Sequence, residues 1–321
     1  MTKEYDVSVI MCTYNSNYQK IVNAIDSALN QENVSIEIVI ADDGSKHSNF
    51  DKIREYFHSV GFSDYRLVEN AINQGTVLNY LSALENASGQ YIRGIGAGDY
   101  LSDENALADS INFLKENSLR WAFSDTVYYR LTEDGTPEFL NEYAHPNYVK
   151  PYERKDWNEC LWQYVVLGDN ANGACIVGER ALFLEYTRLI ANKVKYAEDH
   201  IYRVMTVDGI VGGYFPRTTI FYEYGSGIST CGDDVWRKRL TVDWDVADQI
   251  IASRSKQGAQ LIAKKQQIQE KNKSWWGRLR NCFEHGWIRY ASRVKVDLLQ
   301  RRTAMAPGAL YWWKGKDTFS V

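Results

Sequence analysis

Histidine and cysteine are scarce in this 321-residue chain, with five of each. The cysteines (Cys12, Cys160, Cys175, Cys231, Cys282) are odd in number, scattered and without a CxxC pair, which argues against a disulfide framework and against a zinc site. With no HxxxH, a transition-metal site built from protein ligands alone is not expected either. No apolar run reaches the length of a membrane span. The opening residues, MTKEYDVSVIMCTYN, place acids before any apolar stretch, so no secretory signal is expected. Long linkers, low-complexity tracts and internal repeats are also missing. These absences point to a globular protein of a reducing cytoplasm.

What is present fits a sizeable core: 45% of residues are hydrophobic and 24% charged. The net charge of -4 hides an asymmetry. Residues 274–316 hold nine Lys or Arg against two acids, a surplus of +7 that leaves -11 for the rest. In that basic tail Trp276, Leu279, Phe283, Trp287, Tyr290, Val294 and Leu298 recur at three- and four-residue steps, one apolar stripe on a helix, although Gly277 and Gly286 interrupt it. The stripe suits a membrane surface, a second copy of the chain, or packing on the main body. Nucleic acid is not expected, because the tail's Trp and Tyr are mixed with Leu, Ile and Val.

Residues 6–12 and 34–41 are β-branched apolar runs that end in polar turns, as buried parallel strands do. Between them Ile21, Ala24, Ile25, Ala28 and Leu29 keep helical spacing. A third strand at 65–70, a helix over 75–87 and a fourth strand at 90–96 follow, then a helix over 103–117 and a strand over 120–130. From residue 131 to about 235 short strands mix with aromatic-rich loops, and a helical pattern runs from Val235 through Gln269. Such alternation predicts an α/β fold with a doubly wound sheet and a ligand beyond the carboxyl ends of the strands.

At those ends lie Thr13-Tyr14-Asn15, Asp42-Asp43-Gly44-Ser45, Asn73-Gln74-Gly75 and Gly96-Ala97-Gly98-Asp99. Each alone reads as an ordinary turn or helix cap, but four in register are harder to explain that way. The set resembles the donor-binding half of the family 2 glycosyltransferases, inverting enzymes of the GT-A fold, over residues 7 to about 101. The resemblance implies a nucleotide sugar held by Thr13, Tyr14, Asn15, Asp42, Asp43, Asn73, Gly75, Gly98 and Asp99. A buried Asp42 carboxylate suits a pyrimidine imide N–H, hence a UDP-sugar, and Gly75 would let the backbone approach the donor.

The fourth cluster departs from the family, whose LDADDYL pattern uses its first and third acids to position a divalent cation on the diphosphate. Here Gly96 and Gly98 replace two acids and Asp99 remains as the metal ligand. A magnesium or manganese ion is therefore expected to bind weakly, through Asp99, the diphosphate and waters. Backbone N–H groups and basic side chains are the other means of offsetting the diphosphate charge. A dinucleotide fingerprint does not fit GIGAGD, which lacks the GxGxxG spacing.

Further on, Glu198-Asp199 opens a helix within EDxxxR. An acidic first turn is its plain structural reading; the resemblance implies that Asp199 is the catalytic base, with Glu198 beside it and Arg203 in support. The stretch 168–183 resembles an acceptor-bordering loop and strand, with Asp169, Asn170 and Asn172 as candidates. The chain thus divides into a donor half (1–101), an acceptor and catalytic half (102–234) and a helical, basic, Trp-rich extension (235–321). The implied activity is sugar transfer to a lipid-linked or oligosaccharide acceptor in bacterial surface polysaccharide (capsule or O-antigen) assembly, on the inner face of the cytoplasmic membrane. A non-catalytic sugar-nucleotide binder or scaffold is the alternative that the missing acids raise. A nucleotidyltransferase fits less well, since its basic, glycine-rich phosphate loop is absent.

Overall fold

The computed structural model describes residues 4–133, 137–143, 146, 148–281 and 283–284. In the amino-terminal half, strands and helices alternate: β1 (Val7–Thr13), α1 (Tyr18–Leu29), β2 (Ile36–Asp42), α2 (Phe50–Ser59), β3 (Tyr65–Glu69), α3 (Thr76–Asn86) and β4 (Tyr91–Gly94). Strands β1 and β2 are covered by helices on both faces, so nearly every residue of VSVIMCT and IEIVIAD is buried and neither strand alternates. Helix α1 buries the predicted Ile21, Ala24, Ile25 and Ala28 stripe.

The second half adds β5 (Tyr100–Leu101), α4 (Ala106–Glu116), β6 (Trp121–Leu131), β7 (Pro137–Tyr143), α5 (Lys150–Glu153), α6 (Trp157–Leu161), β8 (Ile176–Glu179), α7 (Arg180–Ile190), α8 (His200–Val207) and β9 (Gly213–Glu223). The described strands form one sheet, ordered β3-β2-β1-β4-β8-β6-β9-β5, with β7 paired to β6. Its first four strands are parallel, whereas β8 runs antiparallel to both β4 and β6, so the sheet is mixed and spans both halves. The 131–235 region is more helical than its aromatic loops suggest. Arg180 begins a helix in which Leu182, Phe183, Tyr186 and Ile190 are buried, so the loop and strand expected over 168–183 contain a strand of only four residues.

The extension starts as two helices, α9 (Asp234–Arg254) and α10 (Lys256–Lys271), separated at Ser255, whose hydroxyl accepts the Gly258 N–H. They pack on α8 and on the π-helical turn at Trp162–Val166, so this part of the extension belongs to the main body. A short α11 (Trp275–Asn281) follows and leaves Trp275, Trp276 and Leu279 exposed, with Phe283 beyond it. The rest of the predicted stripe (Trp287, Tyr290, Val294, Leu298), along with Gly286 and Cys282, lies outside the described residues. Cys12, Cys160, Cys175 and Cys231 are free thiols. Among the described residues no helix is long and apolar enough to cross a membrane.

Candidate active site

The carboxyl ends of β1 and β2 interlock before any ligand is considered. Asn15 sits at φ 51°, a left-handed conformation that Asn tolerates. Its N–H donates to Ser45 Oγ at 2.6 Å, and its Oδ1 accepts the Lys46 N–H at 3.0 Å. Ser45 Oγ in turn donates to Asp42 Oδ1 at 2.5 Å. Asp42 is buried, and its Oδ2 has no partner among the described residues. Tyr14 is 53% exposed, so its ring is available as a stacking face. Thr13 is buried against Ala41. Asn79 of α3, which the sequence reading passed over, donates to the Ala41 carbonyl at 3.0 Å and ties the helix to both strand ends.

Two expected donor contacts have other work. Asp43 accepts the Gln74 and Gly75 N–H groups at 2.9 and 2.8 Å, so both of its oxygens close the loop before α3. Gly75 has φ 96°, and a Cβ there would meet the Lys195 carbonyl at 2.6 Å. The close backbone approach that Gly75 allows is to residue 195. The Val77 N–H also donates to that carbonyl, at 3.1 Å, which pins the start of α3 to the segment leading into Glu198-Asp199. Asn73 is exposed at the mouth of this loop.

The same segment is held from its other side by the extension. Asp243 of α9, 3% exposed, accepts N–H groups from Lys195 (3.1 Å), Tyr196 (2.6 Å) and Ala197 (3.0 Å). Three backbone donors on one carboxylate fix the approach to Glu198 as a helix cap would. Asp199 is the N-cap residue of α8, yet its side chain makes no capping bond. The carboxylate lies instead against Gly173, where a Cβ would collide with its Oδ1. Burial raises the proton affinity of both acids; the Asp199 charge raises Glu198 further, and the Gly173 N–H partly offsets the effect on Asp199. Tyr222 connects this pair to the β4 turn: its phenol is pushed up to about 12 by burial and by the charges of both Asp99 and Asp199.

The acceptor-side candidates divide. Asn172 caps the 3-10 turn that contains Gly173 and donates to Tyr128 Oη at 3.3 Å, which brings it beside Asp199. Asp169 is buried and accepts the Tyr148 N–H at 3.1 Å, a loop-fixing role, and Asn170 Oδ1 is sealed without a partner among the described residues. Arg203 does not face an acceptor. It is 1% exposed, donates to Asp248 of α9 at 2.6 Å and stacks on Trp244, which also holds Lys265 and the edge of His200. Its place is in the packing of α8 against the extension. A cavity of about 260 Å³ between residues 228–233 and Arg237, Thr241 and Trp244 contains none of these candidates.

Residues 8–160 match the family model described as glycosyl transferase family 2. An uncharacterized glycosyltransferase of Haemophilus influenzae is 32% identical over 126 residues, covering 37% of this chain and 48% of that protein. One from Rickettsia bellii is 29% identical over 141 residues, covering 41% of this chain and 18% of that protein. The chain thus spans half or less of the length of these relatives. Among solved structures, a mannosyltransferase from Pyrobaculum calidifontis in complex with GDP-Man and Mn2+ aligns over 98% of this chain and 80% of its own, with a TM-score of 0.56 and 17% identity. The family match thus takes in just under half of the chain, and it is to family 2 glycosyltransferases that this part is similar. The chain's mixed sheet is that of the GT-A fold.

The β4–β5 turn does not fit the cation that the family pattern implies. Asp99 is 5% exposed, and its Oδ2 and Oδ1 accept N–H groups of Gly96 (2.9 Å) and Glu223 (3.1 Å). Burial pushes its carboxyl up to about 6 despite those bonds. A Cβ on Gly96 would meet Asp99 Oδ2 at 2.7 Å, and one on Gly98 would collide with Glu223 Oε2. Among the described residues no three His, Cys, Asp or Glu side chains converge as metal ligands. Asp99 therefore anchors the turn to β9, and the expected role as a metal ligand is not one its bonding supports.

Proposed function

We propose that the chain is an inverting glycosyltransferase that moves one sugar from a nucleoside diphosphate to a hydroxyl of a lipid-linked or oligosaccharide acceptor. The observation that carries this reading is Asp199: it heads α8 without capping it, burial favours its protonation, and Tyr222 lies within the fields of both Asp199 and the β4 turn. A carboxylate that gains stability on taking a proton suits a general base. At the donor end Tyr14 offers a ring to the base, and Asp42 Oδ2 is an acceptor for a pyrimidine imide N–H, which favours UDP over an adenine nucleotide.

In the reaction the acceptor oxygen attacks the anomeric carbon on the face opposite the diphosphate. The new C–O bond forms as the C–O bond to phosphate breaks, the proton passes to Asp199, and the nucleoside diphosphate leaves with the bonding pair. The acceptor enters along the 168–175 loop and the tilted rings of Tyr128, Tyr222 and Tyr224, whose faces suit the C–H side of a sugar. A lipid-linked acceptor in surface polysaccharide assembly agrees with the exposed Trp275, Trp276, Leu279 and Phe283 among Lys273, Arg278 and Arg280, a surface suited to the inner face of an anionic cytoplasmic membrane. Residues 274–316 would make that contact, or one to a second copy of the chain; vesicle sedimentation beside a measurement of oligomeric state separates the two.

The test of the activity is a release assay over UDP-, GDP- and TDP-sugars, with GDP included because the Pyrobaculum neighbour was solved with GDP-Man. Release of a nucleoside diphosphate from one donor is expected. Binding without release by any donor, with acceptor present, favours the non-catalytic alternative.

A further inference from the structure

Where two acids are missing from the β4–β5 turn, an ion pair stands instead. Lys20, in the first turn of α1, places its Nζ 2.6 and 2.7 Å from the two carboxylate oxygens of Glu223 at the end of β9. The Lys20 carbonyl accepts the Gly98 N–H at 3.3 Å, so the turn rests on this residue through backbone as well as side chain. Gly98, at φ 100°, leaves the space that Glu223 fills, and Tyr129 Oη donates to the Gly98 carbonyl. The Glu223 side chain is 9% exposed and that of Lys20 35%, so the carboxylate is enclosed while the lysine side chain is partly open to solvent. Lys20 also lies five residues after Asn15, on the chain that leaves the Thr13-Tyr14-Asn15 turn.

Resting on the reading of this site as a donor site, we propose that the Lys20 ammonium, held at the turn by Glu223, supplies the fixed positive charge for the donor diphosphate, and that no divalent cation is required. The charge balance supports the exchange: two carboxylates with a divalent cation sum to zero, and so do one carboxylate with one ammonium. Replacing two acids by glycine removes one of the ion's two expected ligands and a further charge beside it, and Asp99, the other ligand, is taken up by the Gly96 and Glu223 N–H groups. An ammonium has three N–H donors, and Glu223 occupies two, which leaves one for a phosphate oxygen.

The experiment titrates UDP, GDP and TDP, and the corresponding nucleosides, into the full chain by calorimetry, in EDTA and in Mg2+ or Mn2+, for wild type, Lys20→Met and Lys20→Arg. For the nucleotide that binds, affinity should change less than about twofold between EDTA and metal. Lys20→Met should weaken the diphosphate by about tenfold or more, the worth of one charge-assisted hydrogen bond, and Lys20→Arg should restore part of it. The nucleoside should bind all three proteins alike, which also reports an intact fold. Diphosphate binding that appears only with added metal, or is unchanged in Lys20→Met, overturns the proposal and leaves the donor reading standing. Binding of none of the nucleotides under any condition overturns the donor reading and the proposal with it.

Discussion

Two carboxylate sites, one buried and one half-buried, lie at opposite ends of the same sheet, and they are built in opposite ways. At the amino-terminal ends of the strands Glu37, 1% exposed, accepts from Ser8 Oγ (2.6 Å), Ser88 N–H (2.5 Å) and Gly89 N–H (3.1 Å). Burial opposes its charge, but those hydrogen bonds together outweigh it and hold the carboxyl below the ordinary glutamate value. At the other end Glu198 and Asp199 are also withdrawn from water with far fewer donors, and their proton affinity rises. A satisfied buried carboxylate holds strands together, whereas an under-satisfied one is ready to take a proton.

The largest expected effect comes from removing the reactive member. Asp199→Asn keeps size and burial but cannot accept the proton, so transfer should fall by about 10²-fold or more while nucleotide binding survives. Turnover near wild type would end the assignment. In wild type the acid limb of the kcat/KM profile should lie above the ordinary aspartate value of about 4, activity being lost as pH falls and the base is protonated.

Asp243 tests whether the reactive end depends on outside support. Asp243→Asn leaves the three N–H groups at 195–197 with one acceptor oxygen and should lower kcat by about tenfold, since small displacements of a catalytic group are costly. Because the Asp243 charge also raises Glu198, the same substitution should lower the pH at which the Glu198 carboxyl titrates, a change followed by carboxyl NMR that a loss of fold stability alone does not produce. An unmoved Glu198 titration with a normal kcat would make the contact incidental.

The two smaller effects have opposite pH signs. Glu37→Gln turns an acceptor into a donor facing donors and should cost about 1–3 kcal/mol of stability at neutral pH. Glu37 is depressed in the folded state, so its contribution is present above the unfolded value and lost as pH falls; the melting gap between wild type and variant should narrow in acid. Glu198 is raised, so the folded state favours its protonated form and stability is lost as pH rises through the folded value. Glu198→Gln should therefore melt higher than wild type by about 2 °C or more at pH 8, with the gain shrinking in acid. The same sign of pH dependence in both variants would abolish the contrast between the two ends.

Much of this was legible in the chain alone. The β-branched runs, the Ile21 to Ala28 stripe and the polar strand ends determined a parallel αβ half and the turns at its strand ends, because burial on two faces and turn chemistry both leave local patterns. The pair Glu198-Asp199 was visible, although nothing local distinguished a base from a helix cap; the absence of a capping bond and the carboxylate's position against Gly173 came from tertiary packing. So did the work of Asp43, Gly75 and Arg203, whose partners lie 31 or more residues away in sequence. No spacing announces that Asp243 will hold residues 195–197 or that Lys20 will meet Glu223, 203 residues on. Local sequence determines which residues are buried and where the chain turns. Which buried charge meets which donor is decided only when distant segments pack, since an ion pair needs a geometry that neither partner's neighbours in sequence encode.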